Sequence, residues 1–320
     1  MSQFLSKCDA SVMGDAAAVL INGGLVAFPT ETVYGLGADA TNKSAVNKIF
    51  LAKGRPKNHP LIVHISSMNR LYDWAVDIPE YAIKLANNFW PGPMTLILRR
   101  NPSVGDFITG GQSNVGLRVP DHHIAYQLLI EFEKLGGLGI AAPSANRFGS
   151  VSPTNIQAVQ DELENYLTQF DLLLNGGQCD IGVESTIIDC TGNKPNILRP
   201  GSVTLDMVSN CTDLKIDSVI QLKTIRFPGG LSSHYAPQAK IVLDQLPQPG
   251  DGFLALAEIQ TPFGCIRLAS PTSANEFARV LYSSFRLADQ KRIKKVIVIP
   301  PTDHGISVAI RDRLGKASAK

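Results

Sequence analysis

The feature that most constrains this chain is the alternation of short apolar runs with helix-like stretches through its first two hundred residues. Residues 25–28 are continuously apolar and residues 61–65 are apolar except for His64, which is typical of strands buried on both faces. Between them, apolar residues recur about every 3.6 positions in a stretch that Ser44 is expected to cap and Gly54 to end. Turn formers at 191–195 join two further strand candidates as a hairpin. The sequence therefore predicts an α/β fold on a mixed sheet.

The pattern changes after Gly201. Residues 204–221 carry little periodicity and residues 227–237 are rich in turn formers, so we expect a linker there. A smaller α/β unit follows, with an amphipathic helix at 274–288 whose apolar face we expect to be core. We predict a larger domain at residues 1–205, a linker at 206–237 and a C-terminal domain at 238–320.

Charge, hydropathy and cysteine content exclude several classes of protein. Thirty Lys and Arg residues against 28 Asp and Glu residues leave a net charge of +2, so any anion site must come from local clustering. No apolar run approaches the ~18 residues of a membrane helix and no signal peptide precedes the chain, which predicts a cytoplasmic protein without membrane contact. Five scattered cysteines without a C-x-x-C pair indicate reduced thiols. Asp121, before two histidines, is expected to cap a helix rather than to bind zinc.

Five polar segments, each beside a predicted buried strand, are the candidates for chemistry. They are residues 53–59 (KGRPKNH), 141–147 (AAPSANR), 29–37 (PTETVYGLG), 183–186 (VEST) and 198–201 (LRPG). Each has an ordinary alternative, because basic runs are usually solvated helix ends and polar turns often join strands to helices. Together, their hydroxyl groups and fixed cations predict one polar pocket for an anionic ligand. No P-loop and no G-x-S-x-G motif accompanies them.

Seven motifs in one order carry a resemblance to a known family. PTETVYGLG, KGRPKNHPLIVHI, WPGPMTLIL, GLRVP, AAPSAN, GVESTI and LRPG resemble motifs of the Sua5/YrdC family of threonylcarbamoyl-AMP synthases, and the resemblance covers about residues 10–203. HYAP at 234–237, followed by a second α/β unit, is similar to the longer Sua5 form. The resemblance implies a YrdC-like twisted mixed sheet with flanking helices and a smaller, Rossmann-like Sua5 domain.

The resemblance also implies a nucleotidyltransferase reaction. L-Threonine, bicarbonate or CO2 and ATP would give threonylcarbamoyl-adenylate and pyrophosphate, with Mg²⁺ carried by the ATP phosphates and no metal held by the protein. The product would pass to a separate transferase complex that makes t6A at position 37 of tRNA. The resemblance leaves open whether the chain itself contacts tRNA.

The family's motifs assign roles to particular residues of this sequence. Lys53 and Arg55 are implied as catalytic, because fixed cations stabilise the charge that builds on phosphate oxygens. The implied ATP-binding residues are Lys53, Arg55, His59, Asn114, Ser144, Asn146, Ser152, Arg199 and Tyr235. The implied threonine-binding residues are Thr32, His64, Arg118, Ser185 and the backbone at Ala142, with Arg118 expected to hold the carboxylate bidentately.

One segment departs from the family pattern. The linker reads PGGLSSHYAP and lacks the basic pair that PGMKYRHYAP places before the histidine in many members. We hypothesise that it nevertheless closes over the pocket as a lid through His234 and Tyr235, because the carbamate and the mixed anhydride are labile in water.

Two other functions compete with this interpretation. A non-catalytic RNA-binding module could use the same basic pocket, although the small net charge and the scarcity of aromatic-plus-basic stripes count against it. Another carbamoyl-transfer enzyme on the same fold is the second, but the zinc-finger and acylphosphatase segments of hydrogenase-maturation carbamoylases are missing.

Overall fold

Two β-sheets, one large and mixed and one small and parallel, organise the chain. The structure is a computed structural model that describes residues 3–5, 10–216, 225–230, 235–302 and 304–319. In the described residues the strands are β1 (Gln3–Leu5), β2 (Val26–Phe28), β3 (Gly35–Asp39), β4 (Ile62–His64), β5 (Met94–Arg99), β6 (Asn114–Arg118), β7 (Ile140–Ala141), β8 (Leu172–Leu174), β9 (Thr186–Asp189), β10 (Asn196–Arg199), β11 (Lys240–Leu243), β12 (Gly252–Leu254), β13 (Ile266–Ala269) and β14 (Lys295–Val298). The α-helices there are α1 (Ala10–Ile21), α2 (Lys43–Lys53), α3 (Leu71–Trp74), α4 (Glu80–Phe89), α5 (His123–Lys134), α6 (Ile156–Leu163), α7 (Leu205–Thr212), α8 (Ala274–Gln290) and α9 (Ser307–Ser318).

The large sheet has the strand order β1-β8-β2-β3-β7-β4-β6-β5-β9-β10. Parallel pairs (β8 with β1 and β2, β4 with β6, β5 with β9) occur together with antiparallel pairs (β3 with β2 and β7, β4 with β7, β5 with β6, β9 with β10), which confirms the predicted mixed sheet. The predicted hairpin is β9–β10. Helices α1 and α5 pack on one face, and α2, α4 and α6 pack on the other. Strands covered on both faces need apolar residues throughout, which explains their continuous apolar runs.

The small sheet has the order β11-β14-β12-β13 and is parallel throughout. Helix α8 contributes its apolar face to the core of this unit, as predicted, and α9 packs against β11. Residues 235–302 and 304–319, which contain this sheet, are called the C-terminal unit below. The predicted domain limits remain a prediction. Helix α7, capped by Thr204, lies inside the predicted linker except for its first residue, and it packs against α4.

Two of the predicted helix caps are wrong. Helix α2 is capped by Asn42, whose Oδ1 accepts from the backbone N–H groups of Ser44 and Ala45 at 3.0 and 3.1 Å. Helix α5 is capped by the imidazole of His122, not by Asp121. In both helices the side chain that can reach the free N–H groups lies one or two residues from the expected position.

The end of the predicted loop at 29–37 is part of a central strand. Strand β3 begins at Gly35 and pairs with β2 and β7. A Cβ at Gly37 would lie 2.7 Å from the Ile140 side chain and 2.8 Å from that of Phe28. The glycines that suggested a loop therefore let side chains from neighbouring strands pack against a bare backbone.

Candidate active site

Elements of the large sheet converge on one cavity that the C-terminal unit helps to close. It lies between the C-terminal end of α2, the ends of β2, β4, β6 and β10, and the loops after β7 and before β9. The space between these walls, the open mouth included, is about 640 Å³. Eleven of the fourteen predicted site residues line it, namely Thr32, Lys53, Arg55, His64, Arg118, Ala142, Ser144, Asn146, Ser185, Arg199 and Tyr235.

Three of these residues are buried cations that form no salt bridge with a carboxylate of the described residues. Lys53 Nζ, at the C-terminal end of α2, donates to the backbone oxygens of Ser144 (2.5 Å) and Asn146. Arg55 donates to the Pro60 carbonyl at 2.9 Å, while Arg199 donates to backbone oxygens at about 3 Å. No salt bridge joins Lys53, Arg55 or Arg199 to a carboxylate within the described ranges. Their positive charge faces the cavity and attracts an anion.

Burial shifts the acid–base behaviour of these cations. Desolvation lowers the pKa of Lys53 well below 10.5, and the charge of Arg55 lowers it further. Desolvation also lowers the pKa of Arg55 to about 10 and that of Arg199 below its ordinary value. Since an anionic ligand restores the interactions lost from water, such groups are poised to bind one.

A second set of contacts surrounds Arg118 at the end of β6. Its Nη2 lies 2.6 Å from a Glu31 carboxylate oxygen, its Nη1 donates to the Thr32 hydroxyl at 3.0 Å, and its Nε donates to the Gly92 carbonyl at 3.2 Å. Three of its five N–H groups thus face protein partners, and a bidentate clamp by Arg118 on a carboxylate remains a prediction. Burial, with the nearby Arg118 charge, lowers the pKa of His64 to about 3, so this imidazole is neutral at physiological pH.

Ser185 and Arg199 form a connected wall opposite. Arg199 donates from Nε and Nη2 to the Ser185 carbonyl at 3.0 and 2.9 Å, and from Nη2 to its hydroxyl at 3.1 Å. The Ser185 hydroxyl also lies 2.8 Å from that of Thr95. The third nitrogen, Nη1, donates to the Pro228 carbonyl at 3.0 Å, which ties residues before the C-terminal unit to this wall.

The loop after β7 presents Ser144 and Asn146 beside Lys53. The Asn146 amide nitrogen donates to the backbone oxygens of Arg147 and Ser150 at 2.7 and 2.8 Å, which fixes the side chain. Within the described part of the chain, Asn146 Oδ1 and Arg55 Nε are buried without a hydrogen-bond partner. Both residues line the cavity, where a bound ligand can supply the missing hydrogen-bond partners.

Three predicted site residues lie outside this cavity. His59 packs edge-on against Phe148, with ring centroids 5.3 Å apart. Asn114 lines an adjoining cleft at the start of β6, together with Arg226. Ser152 lies behind the wall and donates to Glu184 Oε1 at 2.6 Å. Their assigned roles remain predictions.

The proposed lid can be followed at only part of its length. Pro228, Gly229 and Tyr235 line the cavity, whereas His234 lies outside the described residues. Tyr235 is buried and stacks on Tyr282 of α8 with centroids 5.8 Å apart. Burial raises the pKa of Tyr235 to about 12, so its hydroxyl keeps its proton.

Four residues that shape the site were not among those predicted from the sequence. Glu31 and Glu184 stand inside quoted motifs, and their burial could have been inferred from the apolar neighbours of those motifs. Tyr282 and Arg313, which contact Glu184, come from helices of the C-terminal unit. No local pattern in those helices points to a site a hundred residues earlier in the chain.

The described residues hold no cluster of three or more His, Cys, Asp or Glu side chains suited to a metal ion. The Glu184 carboxylate at the cavity wall is engaged by Arg313 rather than free for a cation. None of the helices in the described ranges combines the length and the apolar character needed to cross a bilayer.

Comparisons with known proteins agree along the whole chain. The family model described as Telomere recombination (Sua5_yciO_yrdC) matches residues 18–201, and that described as Threonylcarbamoyl-AMP synthase, C-terminal domain, matches residues 203–319. The threonylcarbamoyl-AMP synthase of Pyrococcus abyssi is 37% identical, over 95% of this chain and 93% of that protein. That of Bacillus subtilis is 36% identical, over 96% and 92%.

Solved structures show the same fold. The crystal structure of P. abyssi Sua5 complexed with L-threonine matches with a TM-score of 0.87 at 34% identity, covering 99% of this chain and 98% of that one. The crystal structure of Escherichia coli YciO matches in fold with a TM-score of 0.53 at 24% identity, covering 62% of this chain and 95% of that one. On these matches and the order of its motifs, the chain belongs to the Sua5/YrdC family of threonylcarbamoyl-AMP synthases.

Proposed function

We propose that this protein condenses L-threonine, bicarbonate-derived CO2 and ATP into L-threonylcarbamoyladenylate and pyrophosphate. The observation that carries the proposal is the group of buried cations, Lys53, Arg55 and Arg199, around a cavity that also holds small polar groups. Three cations without carboxylate partners in the described residues suit a polyphosphate far better than a neutral ligand.

The amino acid would occupy the other side of the cavity. Thr32, Arg118 and Ser185 offer hydroxyl groups and a guanidinium there, and His64 adds a neutral imidazole. The P. abyssi relative has been solved with L-threonine bound, which supports threonine as the substrate here. A site that pairs with a substrate hydroxyl rejects analogues lacking it by ~10⁴ or more.

The reaction needs no strong base from the protein. The threonine nitrogen attacks the carbon of CO2 and loses a proton to solvent, which gives a carbamate. A carbamate oxygen then attacks the α-phosphorus of ATP. The bond from that phosphorus to the bridging oxygen of the β-phosphate breaks, and pyrophosphate leaves with the electron pair.

Charge moves onto phosphate oxygens in this step, and Lys53 and Arg55 are placed to stabilise it. Fixed cations in a cavity shielded from water stabilise a transition state without reorganising. Mg²⁺ would enter on the ATP phosphates and neutralise part of their charge. The product would supply a tRNA-modifying complex that makes t6A in the cytoplasm.

Pyrophosphate release tests the proposal. The full chain is assayed with ATP, Mg²⁺ and bicarbonate, and with L-threonine, L-serine or no amino acid. We expect release that requires threonine, and serine to be ~10–200-fold poorer because it lacks one methyl group. Release without an amino acid, or none with threonine, contradicts the proposal. Salt-sensitive RNA binding without threonine-dependent release would identify the RNA-binding module instead.

A further inference from the structure

The C-terminal unit neutralises a buried carboxylate that belongs to the described residues before it, which are called the larger part below. Glu184 immediately precedes Ser185 in the cavity wall and is almost fully buried. Its Oε2 accepts from Arg313 Nε at 2.7 Å, and both its oxygens lie about 3 Å from the hydroxyl of Tyr282. These two partners belong to α9 and α8. Ser152 is the one described residue of the larger part that hydrogen-bonds to this carboxylate.

Arg313 is held in turn by its own unit. Its side chain is 0% exposed, and its Nη1 donates to Asp312 at 2.6 Å. The guanidinium carbon lies 5.4 Å from the centroid of the Tyr235 ring, which also lines the cavity. Arg313 cannot move without disturbing Glu184, because the buried carboxylate would then lose the cation that balances its charge.

The Glu184 backbone transmits this position to the cavity. The next residue, Ser185, has a carbonyl and a hydroxyl that together accept three hydrogen bonds from Arg199. A displacement of Glu184 therefore also displaces the Ser185 hydroxyl and the Arg199 guanidinium. Both groups face the space assigned to the substrates.

We infer that Arg313 is a positioning residue through which the C-terminal unit holds Glu184, and with it Ser185 and Arg199, in the wall of the active site. This inference rests on the proposed function for its catalytic consequence. It makes the C-terminal unit a part of the synthase site rather than an appended module.

The pH dependence of the reaction separates this role from a merely structural one. The cations Arg313 and Arg199 lower the pKa of Glu184 to about 2 although burial opposes ionisation, and the hydroxyls of Tyr235 and Tyr282 also face this group. Without Arg313, burial dominates and the pKa of Glu184 rises. We expect the carboxyl then to take up its proton at a higher pH than in wild type.

The test compares Arg313→Met with Arg311→Met in the full chain. Arg311 lies on the same helix but faces Asp244, 3.8 Å away, and the Pro301 carbonyl. We expect Arg313→Met to lower kcat/KM for threonine by about 10- to 100-fold. Its pH profile should gain an acid limb that wild type and Arg311→Met lack. Arg313→Met/Glu184→Gln should keep the lower kcat/KM but lose the limb. Parental kinetics and profile in folded Arg313→Met would overturn the inference.

Two further measurements keep every outcome decisive. Amide hydrogen exchange in residues 184–187 should be faster in Arg313→Met than in wild type and unchanged in Arg311→Met. Equal exchange in the two variants contradicts the inference, whether or not the wild type releases pyrophosphate. A wild type that releases no pyrophosphate would refute the proposed function but not this inference. If Arg313→Met does not fold, the double variant, which leaves no unpaired buried charge, is assayed. Parental kcat/KM there rejects the role of Arg313.

Discussion

Replacement of Lys53 by methionine should nearly abolish adenylate formation with little loss of stability. Lys53 is 2% exposed, and two of its three N–H groups hold the backbone oxygens of Ser144 and Asn146. Loss of one preorganised donor to the transition state costs ~10²–10³ in rate, or ~3–4 kcal/mol. The two backbone carbonyl groups that lose their hydrogen bonds to Lys53 lower the free energy of unfolding by ~1–3 kcal/mol each. This loss is offset because the variant no longer buries an ammonium group, whose desolvation costs several kcal/mol and lowers the pKa of Lys53.

Lys48→Met provides the matched control. Lys48 lies on the same helix, and its Nζ donates to the Gly23 carbonyl at 2.6 Å, away from the cavity. This variant should lose ~1 kcal/mol of stability and keep its rate. Threonine-dependent pyrophosphate release and thermal unfolding are measured for both variants. A rate for Lys53→Met equal to that of Lys48→Met would refute the assignment.

The remaining predictions concern protonation. The pKa of Glu184 is lowered from 4.5 to about 2 in the folded protein. Ionised Glu184 therefore stabilises the fold by about 3 kcal/mol above pH 4.5, and this contribution is lost as the pH falls towards 2. The difference in unfolding free energy between wild type and Glu184→Gln should shrink over that range, and a constant difference contradicts this. His64 should stay neutral down to about pH 3 in NMR spectra of its imidazole nitrogens, whereas titration near 6.5 would show that it is not desolvated. Burial raises the pKa of Cys179 to about 12 and that of Cys190 well above 9, so iodoacetamide at neutral pH should modify the half-buried Cys211 and Cys265 before either of them. Early labelling of either buried thiol would count against this packing.

Residue types at strand ends allowed much of the cavity to be predicted. Polar residues after β2, β7 and β10 lie in motifs whose apolar neighbours fix them at sheet edges, which predicted a single polar pocket. The fourteen candidate residues themselves came from the family resemblance, and eleven of them line the cavity. The mixed character of the sheet followed from one hairpin signal. Strand order did not follow, because an apolar run specifies burial but not which neighbour it pairs with.

The partner of Glu184 illustrates what local patterns miss. Arg313 stands 129 positions later in an ordinary charged stretch of α9, and only the docking of that helix reveals its contact. Gly35 and Gly37 misled in the opposite sense, since close packing rather than a turn requires them. The roles of His59, Asn114 and Ser152 still rest on motif resemblance alone.

The order of strands in the large sheet bears on how the protein is made. Strand β5 is buried at five of its six positions, four of them apolar, and its outer neighbour β9 begins 87 residues after β5 ends, from Arg99 to Thr186. At a synthesis rate of about 5–20 residues per second, that edge stays without its partner for about 4–17 s on the ribosome. An apolar edge strand left open pairs readily with other chains. Nascent molecules are therefore most prone to aggregate in this interval, and chaperones that cover β5 would raise the yield of folded protein.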